Sequence, residues 1–274
     1  MKKHQYNPDS CIACTSCVAY CPVSAATRKF AGPKMMGPAL ERFRGGETNT
    51  DFSLDYCANC KNCDISCPSG VPISTLNMLA RAKQYKNKRR SLLDWMMSHS
   101  DLMSKLASPM AALSNFGMAN PLTKMILKQV GITDKMSLPK YASKTFLQQF
   151  RAFKQQSFPD KVVFFSGCFI NYYAPEIGMD LVAVMQRNKR EVIVPEGMDC
   201  CGSPLVGKGY LDEAVEKART NIAALKPWLD QGIPVLTCCT SCGLMLKMEI
   251  QELMDMEHME QLAAHTYDAS EYLL

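Results

Sequence analysis

Cys11-Ile-Ala-Cys14-Thr-Ser-Cys17-Val-Ala-Tyr-Cys21-Pro22 and Cys57-Ala-Asn-Cys60-Lys-Asn-Cys63-Asp-Ile-Ser-Cys67-Pro68 share one spacing, C-x2-C-x2-C-x3-C-P. Tight turns between the first three cysteines let three thiolates leave one short loop. The fourth cysteine is carried away from that loop, and the proline after it stops the chain from folding back. Eight cysteines at two identical spacings, each run ending in proline, form a specific signal. Zinc sites usually use paired C-x2-C units without this ending. A disulfide framework would spread its cysteines along the chain, whereas these are clustered.

The spacing resembles that of bacterial-type ferredoxins. In them such a loop reaches three corners of a [4Fe–4S] cube, and the fourth cysteine ligates the other cluster. The resemblance implies two [4Fe–4S] clusters with crossed ligands. Cys11, Cys14, Cys17 and Cys67 would hold the first. Cys57, Cys60, Cys63 and Cys21 would hold the second.

The chain has 274 residues, a length that suggests roughly two domains at about 150 residues each. Hydrophobic residues make up 47% and charged residues 21%, which describes a globular chain. The formal net charge of +5 counts cysteines as neutral. Thiolate-bound clusters are anionic, so the loaded protein is less basic, and no nucleic-acid partner is read from the charge. After Met1-Lys2-Lys3 comes polar His4-Gln5-Tyr6-Asn7-Pro8-Asp9, with no apolar signal-peptide core. No run of about 18 apolar residues marks a membrane span. The expected compartment is the reducing cytoplasm, with any membrane contact peripheral.

Residues 1–10 read as a polar leader. Gly32-Pro33, Gly37-Pro38 and Gly45-Gly46 punctuate the segment between the cysteine runs, with a short helix around Pro38–Phe43. A helix is expected over Ile73–Tyr85, with Leu76, Leu79 and Ala80 at helical spacing. Arg81, Lys83, Lys86, Lys88, Arg89 and Arg90 form a basic run with no acid between Ile73 and Leu93. It fits a solvated helix end, or docking on an anionic membrane or partner surface.

Residues 91–158 contain no cysteine. Amphipathic helices fit about 91–106, 109–117 and 121–130. Met96, Met97, Met103, Met110, Met118 and Met125 sit among their apolar positions, and lysines 105, 124, 128, 135, 140 and 144 flank them. One reading is a membrane-surface or quinone-proximal face. The other is helices packed on a core or partner, with methionine as gap-filler.

From residue 161 the texture changes to strands alternating with helices. Strands fit Lys161–Ser166, Glu191–Val194 and Ile233–Thr237. Helices fit 175–188, 211–229 with a kink or end near Pro227, and a last one from near Leu244. This alternation argues for a parallel α/β domain, whose ligands sit beyond the carboxyl ends of the strands. Cys168, the pair Cys200–Cys201 and the pair Cys239/Cys242 each follow a strand. Five thiols therefore meet at one sheet edge. Cys238 is read as a buried bystander.

These five cysteines match the pattern C-x31-CCG-x36-C-x2-C. The domain resembles the cysteine-rich CCG domain of the B subunits of heterodisulfide reductases and their relatives, some of which hold a noncubane [4Fe–4S] cluster on five cysteines. Adjacent cysteines diverge and suit an opened cluster with bridging thiolates. Zinc is the alternative, since four thiolates complete a tetrahedral site. Disulfide chemistry with nothing bound is a third reading.

The modules together with Ser98-His-Ser-Asp-Leu-Met103, Leu138-Pro-Lys-Tyr141 and Phe164-Phe-Ser-Gly-Cys-Phe-Ile-Asn-Tyr172 resemble the C subunits of anaerobic glycerol-3-phosphate dehydrogenases, an iron–sulfur, CCG-domain family. Iron–sulfur subunits of glycolate oxidase and lactate-utilisation complexes share the architecture but fit the middle stretch less well. The family usually carries two CCG domains, and here only one is expected before Glu271-Tyr-Leu-Leu274. The expected organisation is a helical two-cluster ferredoxin-type domain at 1–90, a Met-rich helical connection at 91–158 and a single α/β CCG domain at 159–274.

The resemblance implies an electron-transfer subunit without a catalytic residue of its own. Electrons would come from flavin-containing dehydrogenase subunits and go toward menaquinone, at the cytoplasmic face of the inner membrane, in anaerobic respiration. The residues agree on the division of labour. No G-x-G-x-x-G follows a strand, because Gly202, Gly207 and Gly209 have the wrong spacing. His4, His99, His258 and His265 are scattered and form no nucleophile constellation. The rival readings are a heterodisulfide-reductase-like or glycolate/lactate oxidase subunit with redox chemistry at the CCG cluster, and a zinc-bearing scaffold.

Overall fold

The computed structural model describes residues 7–42, 52–86, 90–129, 132, 138–253 and 258–274. The chain divides into two compact units. The first comprises Met1–Ser98, Pro204–Ala214 and Glu252–Met254; the second comprises His99–Ser203, Val215–Gln251 and Asp255–Leu274.

The first unit contains helices α1 (Ser16–Ala19), α2 (Pro22–Ala26), α3 (Asn62–Ile65), α4 (Ile73–Tyr85) and α5 (Leu92–Ser98). Its two cysteine loops are conformational copies. Ala13 and Thr15 flank Cys14 with φ of 60° and 68°; Asn59 and Lys61 flank Cys60 with φ of 51° and 63°. Left-handed residues alternating with ordinary ones curl the backbone into an anion-binding nest. One short helical turn, α1 or α3, then separates the third cysteine from the fourth. Cys21 caps α2, with Pro22 at its first position and the Sγ accepting the Ser24 N–H at 3.4 Å. In the second copy, the Cys67 Sγ accepts the Val71 N–H at 3.4 Å.

Helix α4 has the expected bounds, and its apolar positions serve two clusters. Ile73 and Leu76 pack with Val71, Cys17 and Cys63. Ala80 belongs with Cys21, Phe30, Met36 and Leu54. The helix expected at Pro38–Phe43 starts earlier, as a π-helical turn over Met35–Ala39 with non-helical Gly37 inside it. Pro38 lacks the N–H that a regular turn would use. Phe43 and Gly45-Gly46 lie outside the described residues, as do most of the polar leader and Lys135.

The basic run does not behave as one surface. Arg81 is only 2% exposed. Its guanidinium donates to the carbonyls of Gly207 and Leu54, and to that of Cys57 at 3.0 Å. The Arg90 guanidinium lies 3.6 Å from the Tyr210 ring centroid and donates to the Gly209 carbonyl at 2.8 Å. Lys83 and Lys86 are exposed, and Lys88 and Arg89 lie outside the described residues. A single solvated or docking stripe is therefore wrong for Arg81 and Arg90. Their planar forks satisfy several carbonyls at once, which suits arginine to interior sites.

The second unit begins with α6 (Ser100–Ala107), α7 (Ala111–Ala119), α8 (Pro121–Gln129) and α9 (Phe146–Ala152). The helix expected over 91–106 is broken at His99, whose φ of −101° and ψ of 38° are not helical. Val130 lies outside the described residues. Helix α9 was not expected. Its start carries a capping box, with Thr145 and Gln148 each bonding the other's backbone N–H. Of the six methionines, Met96, Met97, Met110 and Met125 are exposed, and Met103 and Met118 are half-buried.

The α/β part follows in order: β1 (Asp160–Phe164), α10 (Gly167–Tyr172), α11 (Pro175–Arg187) and β2 (Arg190–Ile193). Then come α12 (Ser203–Gly207), α13 (Leu211–Leu229), β3 (Val235–Thr237) and α14 (Thr240–Leu244). Helix α15 (Ile250–Leu253), α16 (Met259–His265), β4 (Thr266–Asp268) and α17 (Ala269–Leu273) complete the chain. The sheet is parallel, with order β2-β1-β3-β4 and pairs Val162↔Val192, Val163↔Val235 and Leu236↔Tyr267. The fourth strand was not expected, because its three residues are too few to carry a pattern. The last long helix begins at Thr240 rather than near Leu244 and passes through a π-helical turn over Met245–Glu249. Phe146, Val162, Phe164, Ile170, Leu181, Val182, Met185, Val192 and Leu236 form the core.

Strand order reverses between β1 and β3, since β2 lies beyond β1 and β4 beyond β3. Open α/β sheets bind ligands at such a switch point, outside the carboxyl ends of the strands. Among the described residues no helix is long and apolar enough to cross a membrane.

Candidate iron–sulfur and thiol sites

The eight N-terminal cysteines divide between two small cavities. Cys11, Cys14, Cys17 and Cys67 line one, together with Lys34 and Ile73. Cys21, Cys57, Cys60 and Cys63 line the other, with Phe30 and Val23. In each, three cysteines come from one loop and the fourth from the other motif. Burial pushes the Cys17 thiol up, and Cys11, Cys14 and Cys67 push it further. Burial does the same to Cys63, reinforced by Asp64, Cys57 and Cys60. A multivalent cationic centre would stabilise Cys17 and Cys63 as thiolates, whereas hydrogen bonds with Ser16 already pull exposed Cys14 down. The two nests and the apolar packing around Cys17, Cys21 and Cys63 fit an anionic cluster, with Cys14 and Cys60 on its exposed side. Lys34 lines the first cavity and donates to the Ala13 carbonyl at 3.3 Å. Asn77 points its amide at the Cys57 Sγ, 3.8 Å away.

The five later cysteines also converge. Cys168 opens α10 after β1, Cys200 and Cys201 follow β2, and Cys239 and Cys242 sit at the start of α14 after β3. Cys200, Cys201 and Cys242 are buried, and Cys168 and Cys239 are half-buried. The Sγ atoms of Cys200 and Cys168 are 3.8 Å apart. The hydrogen bond with Cys168, aided by Cys201, the Gly202 amide and Lys217, pulls Cys200 well below the usual thiol range against the effect of burial. Its bond with Cys242 pulls Cys239 down to about 6 against burial. Hydrogen bonding to Cys200 and burial push Cys168 up. Cys201 is raised by Cys200, Cys242 and burial. With two thiols pulled down and others pushed up, the five form a donor set that positive charge would stabilise as thiolates, which fits a metal cluster. Cys238 packs on the core instead, and burial and Asp268 push it up to about 11. Among the described residues no group of three or more His, Cys, Asp or Glu side chains could hold a metal ion as placed, so the fit to a cluster rests on which cysteines converge and share a cavity.

Polar residues that the sequence reading missed position the Cys200 loop. Buried Asn221 accepts the Asp199 N–H at 2.7 Å and donates to the Cys200 carbonyl at 3.1 Å. The Asp199 carboxylate accepts the Cys200 N–H at 2.8 Å. Lys217 bridges Asp101 at 2.7 Å and Asp199 at 2.9 Å, and Lys105 reaches Asp199 at 3.0 Å. Burial would raise Asp199, but Lys217, the Cys200 amide and Lys105 hold it at about 2. Lys217 and Asn221 sit four apart on α13, so one helix face delivers both. That spacing was the available signal, and it is weak without the fold.

Comparison with known proteins agrees with this division. Residues 7–71 match a 4Fe-4S dicluster domain, and residues 162–247 match a cysteine-rich (CCG) domain. The chain is 36% identical to the anaerobic glycerol-3-phosphate dehydrogenase C subunit of Escherichia coli K12, over 91% of this chain and 64% of that protein. It is 27% identical to the fumarate reductase (CoM/CoB) B subunit of Methanothermobacter marburgensis, over 87% of this chain and 43% of the relative. It is 24% identical to the glycolate oxidase iron-sulfur subunit of Escherichia coli K12, over 87% of this chain and 57% of the relative. The chain thus spans less than two thirds of the length of each. No solved structure matches it. Residues 7–71 therefore belong to the 4Fe-4S dicluster domains and residues 162–247 to the cysteine-rich CCG domains, in a chain similar along most of its length to the C subunit of anaerobic glycerol-3-phosphate dehydrogenase.

Proposed function

We propose that the chain is the electron-transfer subunit of an anaerobic glycerol-3-phosphate dehydrogenase. A flavin-containing subunit would oxidise sn-glycerol 3-phosphate to dihydroxyacetone phosphate. This chain would pass the electrons toward menaquinone at the cytoplasmic face of the inner membrane. The carrying observation is the presence of two matched four-cysteine cavities and a strand-end five-thiol site in one chain of this similarity.

In this reading Cys11, Cys14, Cys17 and Cys67 hold one [4Fe–4S] cluster, and Cys57, Cys60, Cys63 and Cys21 hold the second. Cys168, Cys200, Cys201, Cys239 and Cys242 hold a noncubane [4Fe–4S] cluster. Bound clusters would supply one-electron exchange at potentials set by hydrogen bonding, charge and burial. The chain's residues do the rest. The nests offer backbone N–H groups to anionic centres, and the apolar packing of α4 shields Cys17, Cys21 and Cys63, while Cys14 and Cys60 stay exposed. The working modules are residues 1–90, 91–158 and 159–274.

Helices α6 to α8 supply the membrane contact. Leu106, Leu113, Phe116, Leu122, Met125 and Ile126 are exposed, Phe116 by 71%. No Asp or Glu occurs from Leu102 through Thr133, while Lys124 and Lys128 are exposed. An apolar face edged only by positive charge complements an anionic lipid surface.

Metal analysis and EPR of the anaerobically purified chain test the cofactor content. About twelve irons per chain without zinc is expected from three four-iron clusters. About eight irons with one zinc removes the noncubane assignment. Reduction of the chain by the flavin subunit and sn-glycerol 3-phosphate tests the substrate; no reduction with that donor overturns it.

A further inference from the structure

A cavity of about 470 Å³ opens beside the five-thiol site within the second unit. That volume is in the range of small-molecule sites, roughly 300–1,000 Å³. Cys168 and Cys200 line it, whereas Cys201, Cys239 and Cys242 do not. A molecule in this space would touch one side of the thiol group rather than replace what the thiols hold.

The walls indicate the chemistry of the occupant. Leu147, Phe150, Phe165, Val194, Pro195 and Met198 make about half of the lining apolar and partly aromatic, and the rest is polar. Two cations and three anions also line it: Lys105 and Arg151, against Asp101, Glu196 and Asp199. Lys105 is paired with Asp199 at 3.0 Å, and Arg151 with Glu196 at 3.4 Å. A phosphate ester or carboxylate would meet a net negative wall whose cations are already engaged, so an uncharged ligand fits best. Tyr172 supplies a donor. Burial pushes its pKa up, so the hydroxyl keeps its proton and can bond a carbonyl.

Helix α6 links this cavity to the outer surface. Asp101 and Lys105, one turn apart, line the cavity. Leu102 and Leu106, each one residue further on, are exposed. One short helix thus forms a wall of the cavity and part of the apolar face. A ligand that partitions into lipid would find both on the same element.

We infer that this cavity binds an uncharged, planar, lipid-soluble ring of the quinone class against Cys168 and Cys200. The inference rests on the relay reading and names the place where the acceptor docks.

The test uses the full chain, purified anaerobically with its iron, and a short-chain water-soluble 1,4-naphthoquinone in equilibrium dialysis. One saturable site is expected. Leu147→Trp narrows the cavity and should weaken binding at least about tenfold. Tyr172→Phe should weaken it about fivefold, the worth of one hydrogen bond. Iron content and circular dichroism should match the parent; if Leu147→Trp loses iron, Tyr172→Phe decides. Absence of a saturable quinone site, or binding unchanged by the variants, overturns the inference. So does saturable binding of dithiodiglycolate or sn-glycerol 3-phosphate in place of the quinone. Dye reduction with electrons from the flavin subunit is read in parallel. Dye reduction intact without quinone binding overturns the docking site alone, whereas loss of dye reduction in the parent overturns the relay.

Discussion

The Sγ of Cys242 lies 2.7 Å from the point where a Cβ on Gly167 would stand. Gly167 also has φ of +62°, a left-handed conformation. It follows β1 and precedes Cys168, so the turn that presents one thiol also leaves room for another. Any side chain there costs about 1–2 kcal/mol in backbone strain and displaces the Cys242 sulfur. Gly167→Ala is expected to lose the CCG centre and keep the N-terminal centres. Iron should fall from about twelve to about eight per chain, with the EPR signals of the two N-terminal clusters unchanged. Full iron content in this variant would show that Cys242 has freedom the geometry denies it.

Cys21→Ser tests the crossing of ligands. Cys21 lines the cavity of Cys57, Cys60 and Cys63, although its own motif supplies the other cavity. The variant should therefore remove the cluster served by the second loop before the one served by the first. Cys67→Ser should do the reverse. Samples with either variant, compared by EPR after stepwise reduction, should lose different signals. Loss of the same signal from both would contradict the crossed sets.

Arg81 is a buried cation of the first unit. Burial pushes its pKa down, while Cys57 and Asp55 pull it back up. Arg81→Met would strand the Leu54, Cys57 and Gly207 carbonyls in the interior. Each unpaired buried group costs about 1–3 kcal/mol. Thermal melting of the first unit should drop by more than about 5 °C. Arg81→Lys should recover little of the loss, because an ammonium cannot span three carbonyls as the guanidinium fork does. A melting point equal to the parent for Arg81→Met would mean that water or repacking meets these carbonyls.

The loop and strand-end positions of the cysteines were legible because their geometry is local. Four cysteines in eleven residues specify a loop, and a thiol after each apolar run specifies a strand end. Strands β1 to β3 were legible for the same reason, as short runs such as Lys161-Val-Val-Phe-Phe. Thr266-Tyr-Asp carries no such run, and β4 exists through its pairing with β3. Helix α9 was written in Thr145-x-x-Gln148, a capping box. Arg81 looked like its basic neighbours because burial of one arginine depends on carbonyls from distant segments. The same applies to Asn221 and Lys217, whose partners lie in other segments. The cavity is drawn from α6, α9, α10 and the loop after β2. No periodicity within one segment encodes such a lining.

Asn221 is expected to control the Cys200 loop without touching any thiol. Its side chain answers the Asp199 N–H and the Cys200 carbonyl, both in the turn that aims the paired cysteines. Asn221→Ala leaves a buried donor and acceptor unpaired, at about 1–3 kcal/mol each. Asn221→Asp keeps the acceptor but turns a buried carboxylate on the Cys200 carbonyl, so its effect should be at least as large. The readout is the EPR line shape and midpoint potential of the CCG centre, with the N-terminal signals as internal reference. A purely structural role elsewhere would lower the melting point and leave that line shape alone.

The exposed helices make the last and most physical test of the membrane reading. Leu113 and Phe116 lie three apart on α7 and are both largely exposed. Full burial of such a side chain is worth about 1.5–3 kcal/mol, so Leu113→Ser with Phe116→Ser should cut lipid partitioning on the order of a hundredfold. Lys124→Gln with Lys128→Gln should cut it less, by about 1 kcal/mol per charge near an anionic surface. The lysine contribution should also fade as salt shortens the Debye length from about 10 Å at 0.1 M. Flotation with phosphatidylglycerol vesicles at low and high salt separates the two terms. Apolar loss that persists in salt, with a charge loss that does not, is the expected pattern. Equal flotation of both double variants and the parent would mean that this face is covered by a protein partner rather than by lipid.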